Sequence, residues 1–166
     1  MLKITDLKVA READAGLVRA IDGLSLCIER GETFALVGES GCGKSMTALA
    51  LMRLLPENGR VTDGRVEIEG QETLSLPESA MRRLRGGRIG MIFQEPATSL
   101  NPVMRVGDQI VEAIETHTAL RGAQARAKAI EWLRRVGIPE PEQRIDDYPF
   151  RMSGGQKQRV MIAIAL

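Results

Sequence analysis

The chain has 166 residues, of which 43% are hydrophobic and 27% are charged, and its formal net charge is +1. This balance is typical of a globular domain and excludes the strongly basic field of a general nucleic-acid or membrane-surface binder. Aromatic residues make up only 3% of the chain, which disfavours stacking platforms for single-stranded nucleic acid. The longest apolar run, 160–166, is too short to span a bilayer, and no secretory signal is recognisable at the N-terminus, so we expect a cytosolic chain.

The first 32 residues predict β-strands. Leu2 and Ile4 alternate with polar residues, and Leu24, Leu26 and Ile28 alternate in the same way further along. Such alternation is typical of strands that bury one face. We therefore expect an antiparallel β lead-in to the domain.

The next segment is rich in glycine and ends in Gly-Lys-Ser. It consists of Gly38, Glu39, Ser40, Gly41, Cys42, Gly43, Lys44 and Ser45. Glycines allow positive φ angles that bring backbone N–H groups close to an anion, and a helix that starts at such a loop adds the positive end of its dipole. The pattern predicts a phosphate-binding loop, in which Lys44 contacts the β- and γ-phosphates of a nucleotide and the Ser45 hydroxyl binds Mg²⁺.

The segments on both sides of this loop support the prediction. The apolar run 33–37 predicts a buried parallel strand, and the apolar run 46–55 predicts a buried helix that ends before Pro56. Strand, loop and helix in this order form the context in which such a loop binds phosphate.

The following stretch predicts a hairpin, a short helix and a second buried strand. Residues 63–64, Asp-Gly, predict the hairpin turn, and 66–69 alternate like a half-buried strand. Residues 77–85 predict a helix whose arginines form a solvated basic face. The apolar run 89–93 predicts a strand that places Gln94 at its end, where ligands of open α/β sheets bind.

Residues 95–152 change character and predict helices. The segments 106–118 and 123–136 have apolar residues at helical spacing and show no strand-like alternation. Trp132 is expected to anchor the core of this helical part. His117 is expected at the surface, because no carboxylate or thiol motif accompanies it that would indicate catalysis.

Another helix is predicted to begin at Ser153. Serine is a favoured N-cap residue, and Gly154 and Gly155 leave the first N–H groups of the helix uncovered. The pattern predicts a second helix end that binds an anion.

These motifs together resemble the nucleotide-binding subunits of ABC transporters. Residues 152–159 read Met-Ser-Gly-Gly-Gln-Lys-Gln-Arg and are similar to the signature of that family, and Gln94 is similar to its Q-loop. Residues 96–102 and 53–56 resemble the peptide and nickel importer branch. The resemblance extends over 2–166, which is essentially the whole chain but only the front part of the family's domain.

The resemblance implies a P-loop NTPase of the α/β class, with a RecA-like parallel sheet core, an antiparallel β lead-in and an inserted α-helical subdomain. It implies the first part of the ATP-binding core over 1–94, the helical subdomain with the Q-loop over 95–152, and the signature with the start of the next helix over 153–166. In the family, an acid-bearing strand and a switch histidine follow the signature. We therefore expect the core to be incomplete at Leu166, with no catalytic residue visible and little or no hydrolysis by this chain alone.

The function implied by the resemblance is that of an ATP-binding subunit of an ABC importer, which couples ATP binding and hydrolysis to the transport of peptides or a related small solute. ATP and Mg²⁺ are the expected ligands of residues 38–45, with Ser45 and Gln94 at the metal. Gln94 either senses the γ-phosphate or is a loop residue that caps a strand end. The alternatives are a soluble ABC-type ATPase that acts on nucleic acid or ribosomes, and a nucleotide-binding fragment without turnover.

The implied partners lie at the cytoplasmic face of the inner membrane, where the chain is expected to bind peripherally. A second ABC ATPase domain, identical or paralogous, would face this one head to tail. The ATP held by that domain would contact Ser153, Gly154, Gly155 and Gln156 of this chain. Residues 98–106 would contact integral membrane permease subunits, and an extracytoplasmic solute-binding protein would take part indirectly. No nucleic acid is expected as a partner.

One position departs from the family pattern. The family usually places an aromatic residue near the N-terminus to stack on adenine, but residues 9–12 contain none. Arg11 either stacks through its planar guanidinium group or is an ordinary solvated loop residue. The sequence therefore does not identify the group that stacks on the base.

Overall fold

A computed structural model describes residues 1–14 and 16–166, except for the side chains of Pro96 and Ala97. The chain forms two compact units, Met1–Met81 and Arg82–Leu166. Within the described residues, no helix is both long enough and apolar enough to cross a bilayer. The division by function into 1–94, 95–152 and 153–166 stays a prediction.

The first unit is built on a four-stranded antiparallel sheet, which confirms the predicted β lead-in. Its strands are β1 (Leu2–Ala13), β2 (Gly16–Ile28), β3 (Gly59–Ile68) and β4 (Gln71–Glu72). The strand order is β2-β1-β3-β4, so that β1 is paired on both edges. The alternating apolar residues bury one face of this sheet: Ile4, Leu7, Val9, Ile21, Val66 and Ile68.

The predicted hairpin turn at residues 63–64 is wrong, because β3 runs straight through them while paired with β1. Gly64 has a φ angle of 100° and lies at a shift in register between Thr5 and Lys8. The turn that does form joins β3 to β4 at residues 69–70, where both φ angles are positive. An Asp-Gly pair suits a tight turn and a β-bulge equally well, since both need positive φ, so the local sequence does not distinguish them.

We expect Gly64→Ala to lower the free energy of unfolding by at least about 2 kcal/mol. A β-carbon on Gly64 would lie 2.5 Å from the carbonyl oxygen of Asp6 and 2.5 Å from the Cα of Leu7, both backbone atoms of β1. The matched control is Gly70→Ala, whose φ angle of 82° is also positive but whose added β-carbon meets no atom within 4 Å. The control should lose about 1 kcal/mol from backbone strain alone. Urea denaturation of both variants tests this, and equal losses would contradict the close approach of β1 and β3.

Helix α1 (Lys44–Leu51) is shorter than the predicted 46–55. It ends because Arg53 adopts a positive φ angle of 52°. This turn brings the Arg53 guanidinium to the carbonyl oxygens of Leu76 and Thr73, to which its Nη1 donates at 2.5 Å and 3.4 Å. A tertiary contact therefore sets this helix end. The helix predicted at 77–85 is confirmed as α2 (Glu78–Leu84).

Two segments predicted as buried strands, 33–37 and 89–93, form none. Val37 is 84% exposed, and Phe34, Ile92 and Phe93 are exposed as well. In the second segment only Ile89 takes part in a β-bridge, an isolated one with Arg85. A strand exists only when a neighbour completes its hydrogen-bond ladder, and an apolar run in the sequence carries no information about that neighbour.

The second unit is helical, and the predicted helices 106–118 and 123–136 are confirmed. Its elements are α3 (Pro96–Ser99), α4 (Val106–His117), α5 (Gly122–Arg135), α6 (Pro141–Arg144), a 3₁₀ turn (Pro149–Arg151) and α7 (Gly154–Ala165). The core that these helices enclose includes the fully buried side chains of Val106, Ile110, Leu133, Ile145 and Val160.

Trp132 does not anchor this core as predicted. Its neighbour Leu133 is fully buried, whereas Trp132 is only partly buried and packs against the edge of the cluster. Lys128 Nζ lies 4.4 Å and Arg135 Cζ 4.6 Å from the centre of the Trp132 ring, so the ring is flanked by two cations. The prediction was wrong because ring size indicates a large buried area but not which face of α5 turns inward. His117 is exposed, as predicted.

Candidate phosphate-binding site

The glycine-rich loop 38–45 leads into α1 with a backbone that only glycine adopts easily. Gly41 has a φ angle of 85° and Gly43 one of 95°. Gly43 also lies against β2, since a β-carbon there would be 2.7 Å from the carbonyl oxygen of Ala20. Glycine is therefore required at residue 43 both for its φ angle and for its close approach to the sheet.

The N–H groups where this loop enters α1 are left open, whereas that of Cys42 donates to the carbonyl oxygen of Glu39 at 3.3 Å. Gly43 caps α1 without a side-chain hydrogen bond. In the part of the chain that the structure describes, the backbone N–H groups of residues 43–46 have no acceptor, and the first turn of α1 carries no acidic residue. By contrast, the first two N–H groups of α4 donate to the backbone carbonyl oxygens of Asp147 and Ile145, at 2.9 Å and 2.8 Å. The N-terminus of α1 thus keeps the positive end of the helix dipole and free N–H donors for an anion.

Lys44 places its ammonium group across the loop. Its Nζ donates to the carbonyl oxygens of Gly38 at 2.7 Å and Glu39 at 2.6 Å and lies 3.5 Å from the Sγ of Cys42. No ion pair joins Lys44 to a carboxylate among the described residues. The carbonyls orient the ammonium group without neutralising it, so its charge stays available to an anion at the loop.

A cavity of about 350 Å³ adjoins the loop in the first unit. It is lined by residues 20–24 of β2, by Leu36 and Val37, and by Cys42, Gly43, Lys44 and Thr47. This lining contains no aromatic ring and does not include Arg11. The cavity therefore offers a cation and open N–H groups for phosphate but no stacking surface for a base.

Ser45 is exposed in the first turn of α1. The described residues contain no group of three His, Cys, Asp or Glu side chains placed to hold a metal ion. Mg²⁺ in nucleotide sites is commonly held by one or two protein oxygens together with phosphate oxygens and water. A single hydroxyl next to a phosphate-binding helix end fits that arrangement.

The second helix end has the predicted N-cap and a further feature. The Ser153 Oγ accepts from the N–H of Gln156 at 3.3 Å, and the Gln156 Oε1 accepts from the N–H of Ser153 at 2.9 Å, which completes a capping box. The N–H groups of Gly154 and Gly155 have no acceptor within the described ranges. The amide of Gln156 thus has a structural role, while the two glycines leave open donors.

The glycines at this helix end meet no other atom. A β-carbon on Gly154 or Gly155 would have nothing within 4 Å. The first turn of α7 contains no acidic residue, although an acid there would stabilise the helix dipole. The chain thus leaves this helix end small and without negative charge, as an approaching anion would require.

Gln94 is exposed and lies just before the short helix α3. The hydroxyls of Thr98 and Ser99 donate to the carbonyl oxygen of Glu95 at 3.1 Å and 2.8 Å. Gln109 on α4 fixes the following turn, because its side chain accepts from the N–H of Asn101 and donates to the carbonyl oxygens of Asn101 and Met104, each at 3.0 Å. The sequence analysis missed Gln109, since nothing in the local pattern separates it from any exposed helical glutamine.

An aromatic pair lies just before the second helix end and was also missed. The rings of Tyr148 and Phe150 stack with centroids 5.7 Å apart and planes 14° apart. A hydrogen bond with Tyr148 raises the pKa of the Arg105 guanidinium, and Asp146 adds to this shift. Asp146 also pairs with Arg126 at 2.7 Å, which lowers the pKa of its carboxyl group. The two aromatic residues flank Pro149 in the sequence, and that spacing was the signal that could have indicated the pair.

Comparisons with known proteins agree with these features. The family model described as ABC transporter matches residues 21–166. The oligopeptide transport ATP-binding protein OppD of Bacillus subtilis is 45% identical over 167 aligned residues, which cover 100% of this chain and 47% of OppD. The dipeptide transport ATP-binding protein DppD of the same organism is 44% identical, with 100% of this chain and 50% of DppD covered. The chain spans about half the length of the curated relatives that it matches.

Two solved structures of the bacterial ABC transporter cassette MJ0796 have the same fold. The dimeric structure matches 100% of this chain and 69% of that chain with a TM-score of 0.87 and 27% identity. The dimeric post-hydrolysis structure of MJ0796 with bound ADP and Pi matches with the same TM-score and 28% identity. The fold, the motifs and the match of the family model lead to one conclusion: the chain belongs to the ABC transporter family.

Proposed function

We propose that this chain is the nucleotide-binding part of an importer subunit that couples ATP binding and hydrolysis to the uptake of peptides or a related small solute. The observation that carries the proposal is the loop 38–45, with its open N–H groups and the Lys44 ammonium held on two carbonyl oxygens. The peptide importers among the relatives support the choice of solute class.

In this proposal the N–H groups of residues 43–46 bind the β-phosphate, and Lys44 moves from the loop carbonyls to the β- and γ-phosphates. Ser45 binds Mg²⁺, with Gln94 close to the metal and the γ-phosphate. When bound, Mg²⁺ would neutralise charge on the β- and γ-phosphates. The remaining loop residues, Gly38, Glu39, Ser40, Gly41 and Cys42, shape the backbone around the phosphates. These residues bind and position the nucleotide, and none of them is assigned as the base that activates water.

A second ABC ATPase domain completes the proposed site. Two such domains face each other head to tail, and the γ-phosphate held by one loop rests on the open N–H groups of Gly154 and Gly155 of the other chain, next to Ser153 and Gln156. The dimeric structures of the related cassette support the assembly of two such domains into a dimer. Because ADP lacks the γ-phosphate, it bridges the two domains less strongly than ATP, and this difference in affinity shifts the equilibrium between the open and the closed dimer.

The proposed membrane partners are permease subunits, contacted through residues 98–106 at the cytoplasmic face of the inner membrane. The order that Gln109 imposes on this segment supports the assignment, since Val103 is 82% exposed on a turn with three side-chain hydrogen bonds. A loop held in place while its apolar tip stays in water loses little further entropy when it docks. A solute-binding protein would act on the permeases and not on this chain.

Purification of the tagged protein, expressed from its complete gene in its own cells, tests the proposal. We call this protein the full chain. We expect permease subunits to co-purify from detergent-solubilised membranes. Reconstitution with those subunits should yield ATP hydrolysis that increases when a peptide-loaded binding protein is added. Recovery with ribosomes or nucleic acid, without any permease, would instead favour an ABC-type ATPase outside transport.

A further inference from the structure

The chain offers its own nucleotide no aromatic ring at the loop. The cavity beside the loop is lined without aromatic residues, and residues 9–12 on β1 contain none. Stacking on an aromatic side chain is a common way to hold a base, because every base has a π-face. The residues that line this cavity therefore supply no ring for a base bound at the loop.

The second unit presents such a ring. Phe150 is 68% exposed, although burial of a phenylalanine side chain is normally favourable. One face of its ring is covered by the stacked ring of Tyr148. The backbone is held by the 3₁₀ turn. In it the Arg151 N–H donates to the carbonyl oxygen of Tyr148 at 3.0 Å, and the Met152 N–H donates to that of Pro149 at 3.1 Å. Arg151 Cζ lies 6.0 Å from the centre of the same ring. The ring is therefore held in place, and its exposed surface is large enough to accept a further stacked ring.

The position of this ring relates it to the open end of α7. Phe150 lies three positions before Ser153, the N-cap of α7, so their Cα atoms are at most about 10 Å apart. That span is comparable to the length of a nucleotide. An anion resting on the N–H groups of Gly154 and Gly155 would thus leave the rest of its nucleotide within reach of Phe150.

We infer that Phe150 stacks on the base of the ATP that the partner chain's loop holds, so that the base is gripped across the dimer and not within one chain. The inference rests on the proposed function, because it requires the head-to-tail dimer. It assigns the stacking group that this chain lacks near its N-terminus. Because the ring comes from the other chain, its stacking strengthens the ATP-bound dimer and leaves the binding of ATP to a single chain unchanged.

The test uses the full chain as the cell makes it, with MgATP and with the fluorescent analogue 1,N⁶-ethenoadenosine triphosphate. Dimer formation is followed by analytical ultracentrifugation in wild type, Phe150→Leu and Phe150→Trp. Phe150→Leu should weaken ATP-driven dimerisation about tenfold, within a range of about five- to a hundredfold, while Phe150→Trp keeps it. The etheno base should be quenched on dimerisation in the wild type and in Phe150→Trp but not in Phe150→Leu.

Two controls separate stacking from loss of fold or of the site. Phe150 is mostly exposed, so both variants should melt within about two degrees of the wild type. ATP binding to the dilute, monomeric protein should be the same in all three proteins.

Each other result has a defined meaning. If Phe150→Leu does not weaken dimerisation, the inference is overturned and the proposed function stands. The same holds if Phe150→Leu weakens dimerisation while the etheno base is still quenched. Loss of permease co-purification in Phe150→Leu with unchanged dimerisation also overturns it, in favour of a contact with the membrane subunits. Failure of the wild type to dimerise with ATP removes the proposed dimer itself, and the inference with it.

Discussion

The Lys44→Ala variant of the full chain is expected to bind MgATP at least about a hundredfold more weakly than the wild type. The Lys44 ammonium is already held at the loop by the carbonyl oxygens of Gly38 and Glu39, at 2.7 Å and 2.6 Å. Charge-assisted hydrogen bonds to phosphate contribute roughly 1.5–3 kcal/mol each, and the variant loses these bonds together with the net charge. A loss of about 3 kcal/mol corresponds to a hundredfold change in the dissociation constant. Isothermal titration calorimetry measures it directly.

The matched control for Lys44→Ala is Lys3→Ala. Lys3 is an exposed lysine on β1, and its removal changes the net charge of the chain by the same amount. We expect this control to bind MgATP like the wild type. Lys44→Arg tests geometry, because its planar, longer side chain keeps the charge but does not reproduce the compact ammonium group. Equal affinity of Lys44→Ala and wild type would remove Lys44 from the proposed site.

Gly155→Asp is expected to reduce ATP-driven dimerisation and ATP hydrolysis by the full protein about a hundredfold or more. The N–H groups at this helix end are open, and an aspartate here would repel the γ-phosphate that the proposed dimer places against them. The fold itself should not suffer. A β-carbon on Gly155 meets nothing within 4 Å, and an acid in the first turn of a helix stabilises it by about 0.3–1 kcal/mol. Reduced function in a chain of equal or greater stability is therefore the expected outcome.

Gly155→Ala is the control that separates charge from size. Alanine in a helix is favoured over glycine by roughly 0.5–1 kcal/mol, so this variant should unfold at a slightly higher urea concentration than the wild type. It should lose less dimerisation than Gly155→Asp, because it adds a methyl group without a charge. Sedimentation with MgATP and urea denaturation provide both readouts. Undiminished dimerisation in Gly155→Asp would show that no anion approaches this helix end.

Features that depend on neighbouring residues were predicted well. Ser153 is the N-cap of α7 as predicted, although the reciprocal bond from Gln156 was not foreseen, and the helices 106–118 and 123–136 follow from apolar spacing within one or two turns. Local sequence suffices here because N-cap hydrogen bonds and helical side-chain contacts involve residues only a few positions apart.

Features that depend on distant partners were predicted poorly. The runs 33–37 and 89–93 have the composition of buried strands and form none. Residues 63–64 have the composition of a turn, yet they form a bulge because β1 passes beside Gly64. In each case the decisive neighbour lies elsewhere in the chain, and the composition of the segment carries no record of it.

The sequence by itself therefore determined the local chemistry of this protein. It specified a glycine-rich loop that ends in Lys44 and Ser45, and a later helix that is capped by Ser153 and begins with two glycines. These features follow from φ preferences and short-range hydrogen bonds. Only the tertiary structure decided that β1 pairs with both β2 and β3, that the Lys44 ammonium donates to the loop carbonyls, and that the rings of Phe150 and Tyr148 stack. These arrangements arise from packing and hydrogen-bond ladders, whose free energy depends on which groups meet in space and not on their order along the chain.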